Sequence, residues 1–167
     1  MRSFQVFAAM SAEESQAFFA RVKESSPAIF AQSVQAAAAA LKTRPTFMMK
    51  QPFAKQAASV RRALSRVAAN PIADETLAMY FLDVRKELLT EWLDRVGLDH
   101  DEGMLTEDSP QEPPSASLID AVKSFRGAGD DPDRELLLRA FASQTSIEWP
   151  TLDTQIAEKL SASERPR

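Results

Sequence analysis

None of the four glycines in this 167-residue chain precedes Gly97, the others being Gly103, Gly127 and Gly129. Tight hairpins draw on glycine at left-handed backbone positions, and no stretch alternates apolar and polar residues long enough for a convincing strand. Apolar residues recur at helical spacing instead. The expectation is an all-α protein, an irregular bundle of about six to seven helices around a central helix near residues 75–96.

The helix signals come in order along the chain. Ser11 and Glu14 have capping-box spacing ahead of Phe18, Phe19 and Val22. Ser26-Pro27 opens a second helix carrying Phe30, Val34 and an alanine run at 36–40. Pro45 and Pro52 bracket a short turn whose Phe47, Met48 and Met49 are expected to pack adaptably in the core. A third main helix is expected over 53–69. Asp74 is expected to cap the central helix, which carries two adjacent apolar stripes: Leu77, Phe81, Val84, Leu88 and Trp92, and Leu82, Leu89, Leu93 and Val96. Gly97 is its left-handed stop, with Leu98 packing back on Leu93. Shorter helices are expected over 118–126, 132–143 and 151–160. The organisation is one helical domain, 1–161: a basic lobe (11–105), an acidic proline-bearing loop (106–117) and a C-terminal helical part (118–161). A frayed tail follows at 162–167.

Charge is sorted along this chain. Residues 25–73 hold no acid, yet include Lys42, Arg44, Lys50, Lys55, Arg61, Arg62 and Arg66. Residues 1–70 carry ten Lys and Arg against three Asp and Glu; residues 71–167 carry ten against twenty-one. On the helix expected over 53–69, Lys55, Arg62 and Arg66 fall within about 40° of one another, with Arg61 at the flank. Phe53, Ala57, Val60, Leu64 and Val67 take the opposite, inward side. The cations make a ridge about 16 Å long. Three readings follow. The ridge is a solvated face paired with acidic neighbours, or it recognises a protein partner or a second copy of the chain, or it tracks phosphates of a nucleic acid.

Other clusters carry less chemistry. The chain has no cysteine and one histidine, which removes disulfides, thiolate metal sites and most nucleophilic triads. Asp99-His100-Asp101-Glu102 lacks the ligands of a calcium loop, because Gly103 and Pro110 stand where donors should be, and of a zinc site, because His100 is the only histidine and there is no cysteine; a solvated turn is expected. No metal or other cofactor is expected. Asp130-Asp131-Pro132-Asp133 reads as a helix start. Arg85, between the two stripes, is expected to pair with carboxylates. Pro110-Gln111-Glu112-Pro113 has PxxP spacing but acidic flanks. The N-terminal apolar stretch is short and broken by Gln5, unlike a secretory signal, and no apolar run approaches the roughly 20 residues of a membrane span. The expected compartment is the cytoplasm.

The helix end Leu93-Asp94-Arg95-Val96-Gly97-Leu98-Asp99-His100-Asp101-Glu102-Gly103, with the later Trp149-Pro150-Thr151-Leu152, resembles a pattern in small all-helical bacterial proteins of uncharacterised function. The likeness covers the second half of the chain. It implies a bacterial, cytosolic, all-helical protein and assigns no catalytic residue. The functional expectation is a non-enzymatic protein–protein interaction or regulatory module, with self-association as one form. The alternative is a nucleic-acid-associated protein using Lys55, Arg62 and Arg66.

Overall fold

The computed structural model describes residues 1–163, which are all-α except for one short hairpin. Ten α-helices lie among those residues. Two compact units divide between Tyr80 and Phe81.

The first unit, Ser3–Tyr80, contains α1 (Ser3–Ala9), α2 (Ala12–Ser25), α3 (Pro27–Ala40), α4 (Pro45–Met49), α5 (Phe53–Leu64), a 3-10 turn (Val67–Ala69) and α6 (Asn70–Met79). The capping box forms as its spacing predicts. Glu14 N–H donates to Ser11 Oγ at 3.0 Å, and Ser11 N–H donates to Glu14 Oε2 at 2.8 Å. Behind it, Phe18 meets Phe7 edge-on at 5.7 Å and Phe19 at 5.0 Å, and its ring lies 4.2 Å from Tyr80. Arg21 donates to the Tyr80 hydroxyl at 3.1 Å, which gives this buried phenol a polar partner. No sequence signal announces α1. Its start is tied to α6: Asn70 Oδ1 accepts from the Phe4 backbone N–H at 3.2 Å, and the Ser3 hydroxyl donates to Asp74 Oδ1 at 2.8 Å.

The second unit runs from Phe81 and includes Met1 and Arg2. It contains α7 (Lys86–Val96), β1 (His100–Asp101), β2 (Met104–Leu105), α8 (Ser115–Gly127), α9 (Asp133–Ser143) and α10 (Pro150–Ser163). Trp92 packs against Phe125 and Phe141 at 5.3 and 5.9 Å, and Phe141 against Trp149 at 5.2 Å. Gly97 ends α7 with φ 74°, while Leu98 N–H reaches the Leu93 carbonyl at 3.0 Å, as the Schellman reading predicts.

Several expectations need correction. The helix expected over 75–96 is two helices. α6 starts at Asn70 with Pro71 in its first turn, so Asp74 lies inside the helix and does not cap it. The chain then widens into a π turn at Tyr80–Val84, and Arg85 leaves helical geometry (φ −126°, ψ 41°). Its guanidinium is held by Asp131 and Asp133, so a distant pair of carboxylates overrides the local helical pattern. The helix expected over 53–69 stops at Leu64. Ser65 Oγ there takes the Arg61 carbonyl at 2.7 Å, and Arg66 is extended (φ −84°, ψ 142°). Val67, expected inside, is therefore 65% exposed.

Residues 99–105 are a β-hairpin, with His100 opposite Leu105 and Asp101 opposite Met104. Its two-residue turn, Glu102 (φ 49°) and Gly103 (φ 95°), is of type I′. The loop expected over 106–117 ends at 114, because α8 begins at Ser115, and it is pinned to α10. Trp149 Nε1 donates to the Pro110 carbonyl at 2.9 Å, and Glu112 Oε1 accepts from Thr151 N–H at 2.7 Å. The PxxP spacing is thus occupied by internal bonds. α10 continues to Ser163, so 162–163, expected frayed, are helical; 164–167 lie outside the described residues. Among the described residues, no helix is long and apolar enough to cross a membrane.

Candidate functional site: a basic groove on the first unit

The groove begins where α3 ends. Lys42 N–H bonds the Ala39 carbonyl at 3.1 Å, and Thr43 N–H bonds the Ala38 carbonyl at 2.8 Å, the paired closure of a Schellman motif. The left-handed position of that motif usually goes to glycine. Here it holds Lys42, at φ 55°. Pro45 then starts α4. The end of α4 is fastened to α5 by Gln56, whose Nε2 donates to the Met49 carbonyl at 2.8 Å and the Gln51 carbonyl at 3.0 Å.

The two faces of α4 differ sharply in exposure. Met48 is buried, whereas Phe47 is 58% exposed and Met49 43%. Phe47 and Met49 are therefore not the core packing that the sequence suggests. A helix of five residues can bury only one side, and periodicity over so short a span does not say which.

Along α5, Lys55 and Arg62 are seven residues apart, two helical turns, and share one outer line. Ala58 and Ser59 lie between them, and their small side chains leave an open floor. Ala57, Val60 and Leu64 face inward, as expected; Phe53 is half-buried. The result is an open groove of about 400 Å³ lined by Lys55, Arg62 and Arg66 on one side and by Thr43, Phe47 and Gln51 on the other. A second depression, of about 500 Å³, is lined by Lys42, Arg44, Thr46 and Lys50. Phe47 and Thr43 line both.

The four cations singled out in the sequence have different employments. The side chains of Lys55 and Arg62 are exposed and have no hydrogen-bond or ion-pair partner among the described residues; the same holds for the side chains of Lys42, Arg44 and Lys50. The reading in which the ridge is neutralised by acidic neighbours therefore does not hold for Lys55 and Arg62. Arg66 is exposed but not helical. It reaches back to donate to the Ala40 carbonyl at 2.6 Å, satisfying a free acceptor at the negative end of α3. Arg61 is not part of the groove lining: it is half-buried and donates to the Met10 carbonyl. The signal for the aromatic between the two depressions is present in the sequence as Phe47 between Arg44 and Lys50, but its exposure is a tertiary property.

Several charged side chains of the second unit pair with one another. Arg85 binds Asp131 and Asp133; Arg126 pairs with Glu135 at 2.7 Å; Arg134 pairs with Glu91. His100 Nε2 lies 3.1 Å from Asp94 Oδ1, while its Nδ1 accepts Gly103 N–H at 3.2 Å, which makes Nε2 the protonated nitrogen of the neutral ring. This histidine fastens the hairpin. No group of three or more His, Cys, Asp or Glu side chains among the described residues is arranged to hold a metal ion.

Comparison with protein-family models, curated proteins and solved structures finds no match to this chain.

Proposed function

We propose that the protein is a non-enzymatic, cytoplasmic binding module that captures an anionic macromolecule in the basic groove of its first unit. One observation carries this reading: five cations without a partner, together with Arg66, surround an exposed phenylalanine in an acid-free stretch of chain. Leaving so many like charges together raises the free energy of the unliganded surface, and an arriving polyanion relieves it. Lys42 adds support. A lysine in a left-handed position that glycine would occupy without strain suggests that the charge is kept for use. The lack of cysteine suits a reducing compartment.

The full chain has a net charge of −4, so unspecific attraction predicts that it flows past a polyanionic resin at neutral pH. Retention of the wild type at low salt, lost in Lys55→Glu/Arg62→Glu, is the expected result. Passage of the wild type through the resin without delay would rule the reading out. Self-association through the same groove has its own signature, a mass in light scattering that falls as salt rises.

A further inference from the structure

We infer that the groove's ligand is a single-stranded nucleic acid, with bases packed against Phe47 and phosphates against the surrounding cations. This inference rests on the binding reading above and names its ligand class. Three observations favour it over an acidic protein segment or a duplex.

The first is the arrangement of the aromatic ring. Phe47 is 58% exposed and lines both depressions, so each has a hydrophobic surface beside its cations. A strand presents bases and phosphates side by side, which matches this alternation of ring and charge; stacking on one aromatic residue also tolerates any base. An acidic peptide offers carboxylates but no comparable flat partner for the ring.

The second is shape. A duplex is read by an element that projects into its groove. Here α4 and the outer line of α5 border a recess, and Ala58 and Ser59 line part of it. A recess of about 400 Å³ admits a nucleotide unit and not the body of a double helix.

The third is donor chemistry. Arg44 and Arg62 supply planar guanidinium groups that stack as well as pair with phosphate, and Lys42, Lys50 and Lys55 supply mobile point charges. Thr43, Thr46 and Gln51 add neutral polar groups on the same lining.

The test uses the full chain and three fluorescent probes of matched length: an oligothymidylate of about 12 nucleotides, a mixed-sequence duplex, and an oligoglutamate peptide. The oligothymidylate should bind tightest. Phe47→Ala, at an exposed position where folding is insensitive, should weaken that binding about 5- to 100-fold and leave any oligoglutamate binding unchanged; an unaltered circular-dichroism melt certifies the fold. Lys55→Gln/Arg62→Gln should lower the slope of log affinity against log salt by about 1.4. If the duplex or oligoglutamate binds as tightly as the single strand, or if Phe47→Ala has no effect, the single-strand inference fails and the broader polyanion reading stands. If none of the probes binds at low salt, both fail.

Discussion

Arg134 and Glu91 meet fork to fork, Nη1 to Oε1 and Nη2 to Oε2, each at 2.8 Å. The same guanidinium lies 4.7 Å from the centre of the Phe125 ring, and Arg95 Nη2 adds a 2.9 Å bond to Glu91. Hydrogen bonding from Arg134 is the largest influence on Glu91. With the charges of Arg134 and Arg95, it outweighs partial burial and holds the carboxyl below its ordinary value of 4.5. A carboxyl depressed on folding contributes stability above that ordinary, unfolded value, and the contribution is lost as pH falls through the lower, folded value. Glu91→Gln should therefore cost about 1 kcal/mol at neutral pH. In urea melts across pH, its gap from the wild type should stay level down to about pH 5 and close below about pH 4. A gap that persists in acid would mean that packing, not charge, is what the substitution removes.

Adjacent arginines should behave oppositely. Arg61 donates to a carbonyl beside the buried Met10 side chain, while Arg62 is exposed with no partner among the described residues. Arg61→Ala should lower stability by about 1–2 kcal/mol, and Arg62→Ala should stay within about 0.5 kcal/mol of the wild type. Retention on a polyanionic resin should show the reverse order. Chemical denaturation and chromatography of the two variants decide it.

Lys42→Gly should separate stability from binding in one substitution. Removing the side chain relieves a left-handed backbone (φ 55°) and should raise stability by about 0.5–1 kcal/mol. The same change removes a cation of the second depression, which shares Phe47 with the groove, and should elute the protein at lower salt. A variant that is both less stable and unchanged in retention would contradict both halves.

Gly103 and Gly97 both have positive φ, but only one is crowded. A Cβ on Gly103 would sit 3.0 Å from Leu89 Cδ2, whereas nothing lies within 4 Å of one on Gly97. Gly97→Ala should cost about 1 kcal/mol, the left-handed strain alone. Gly103→Ala adds a tight contact to which the end of the Leu89 side chain must yield by a few tenths of an ångström, and it should cost more than Gly97→Ala, about 1–2 kcal/mol. Thermal melts in which Gly97→Ala is the worse of the two would contradict this reading of the hairpin.

Arg85→Met should be among the most damaging single changes. It leaves Asp133, 5% exposed, facing Asp131 without the guanidinium between them, at a cost of about 3 kcal/mol or more. Adding Asp133→Asn should recover part of the loss, because one buried charge is then removed. No recovery in a denaturation curve would show that the arginine acts through packing instead.

The parts of the fold legible in the sequence are those specified by neighbours in the chain. The Ser11–Glu14 capping box spans one turn, and the Gly97 stop depends on residues 93–98. Both form as read. The helices around Phe18, Phe30 and Val60 also follow from spacing, because burial of one face is a periodic property. α1 was not legible, because its seven residues carry no cap of their own and draw on Asn70 and Asp74. The break at Arg85 was not legible either, because Asp131 and Asp133, 46 and 48 residues away, set it.

The all-helical class and the concentration of cations over residues 42–66 follow from the amino-acid order alone, since both depend on composition and short-range periodicity. Which of those cations remain available was decided by tertiary structure. The Met10 and Ala40 carbonyls, 51 and 26 residues away, engage Arg61 and Arg66, while Lys55 and Arg62 meet no such acceptor. Gln56 ties α4 to α5 over only five to seven residues, and the burial of Met48 and exposure of Phe47 depend on tertiary packing that a five-residue helix cannot signal. A hydrogen bond between distant segments exists only once the chain has closed on itself, and no local pattern encodes its partner.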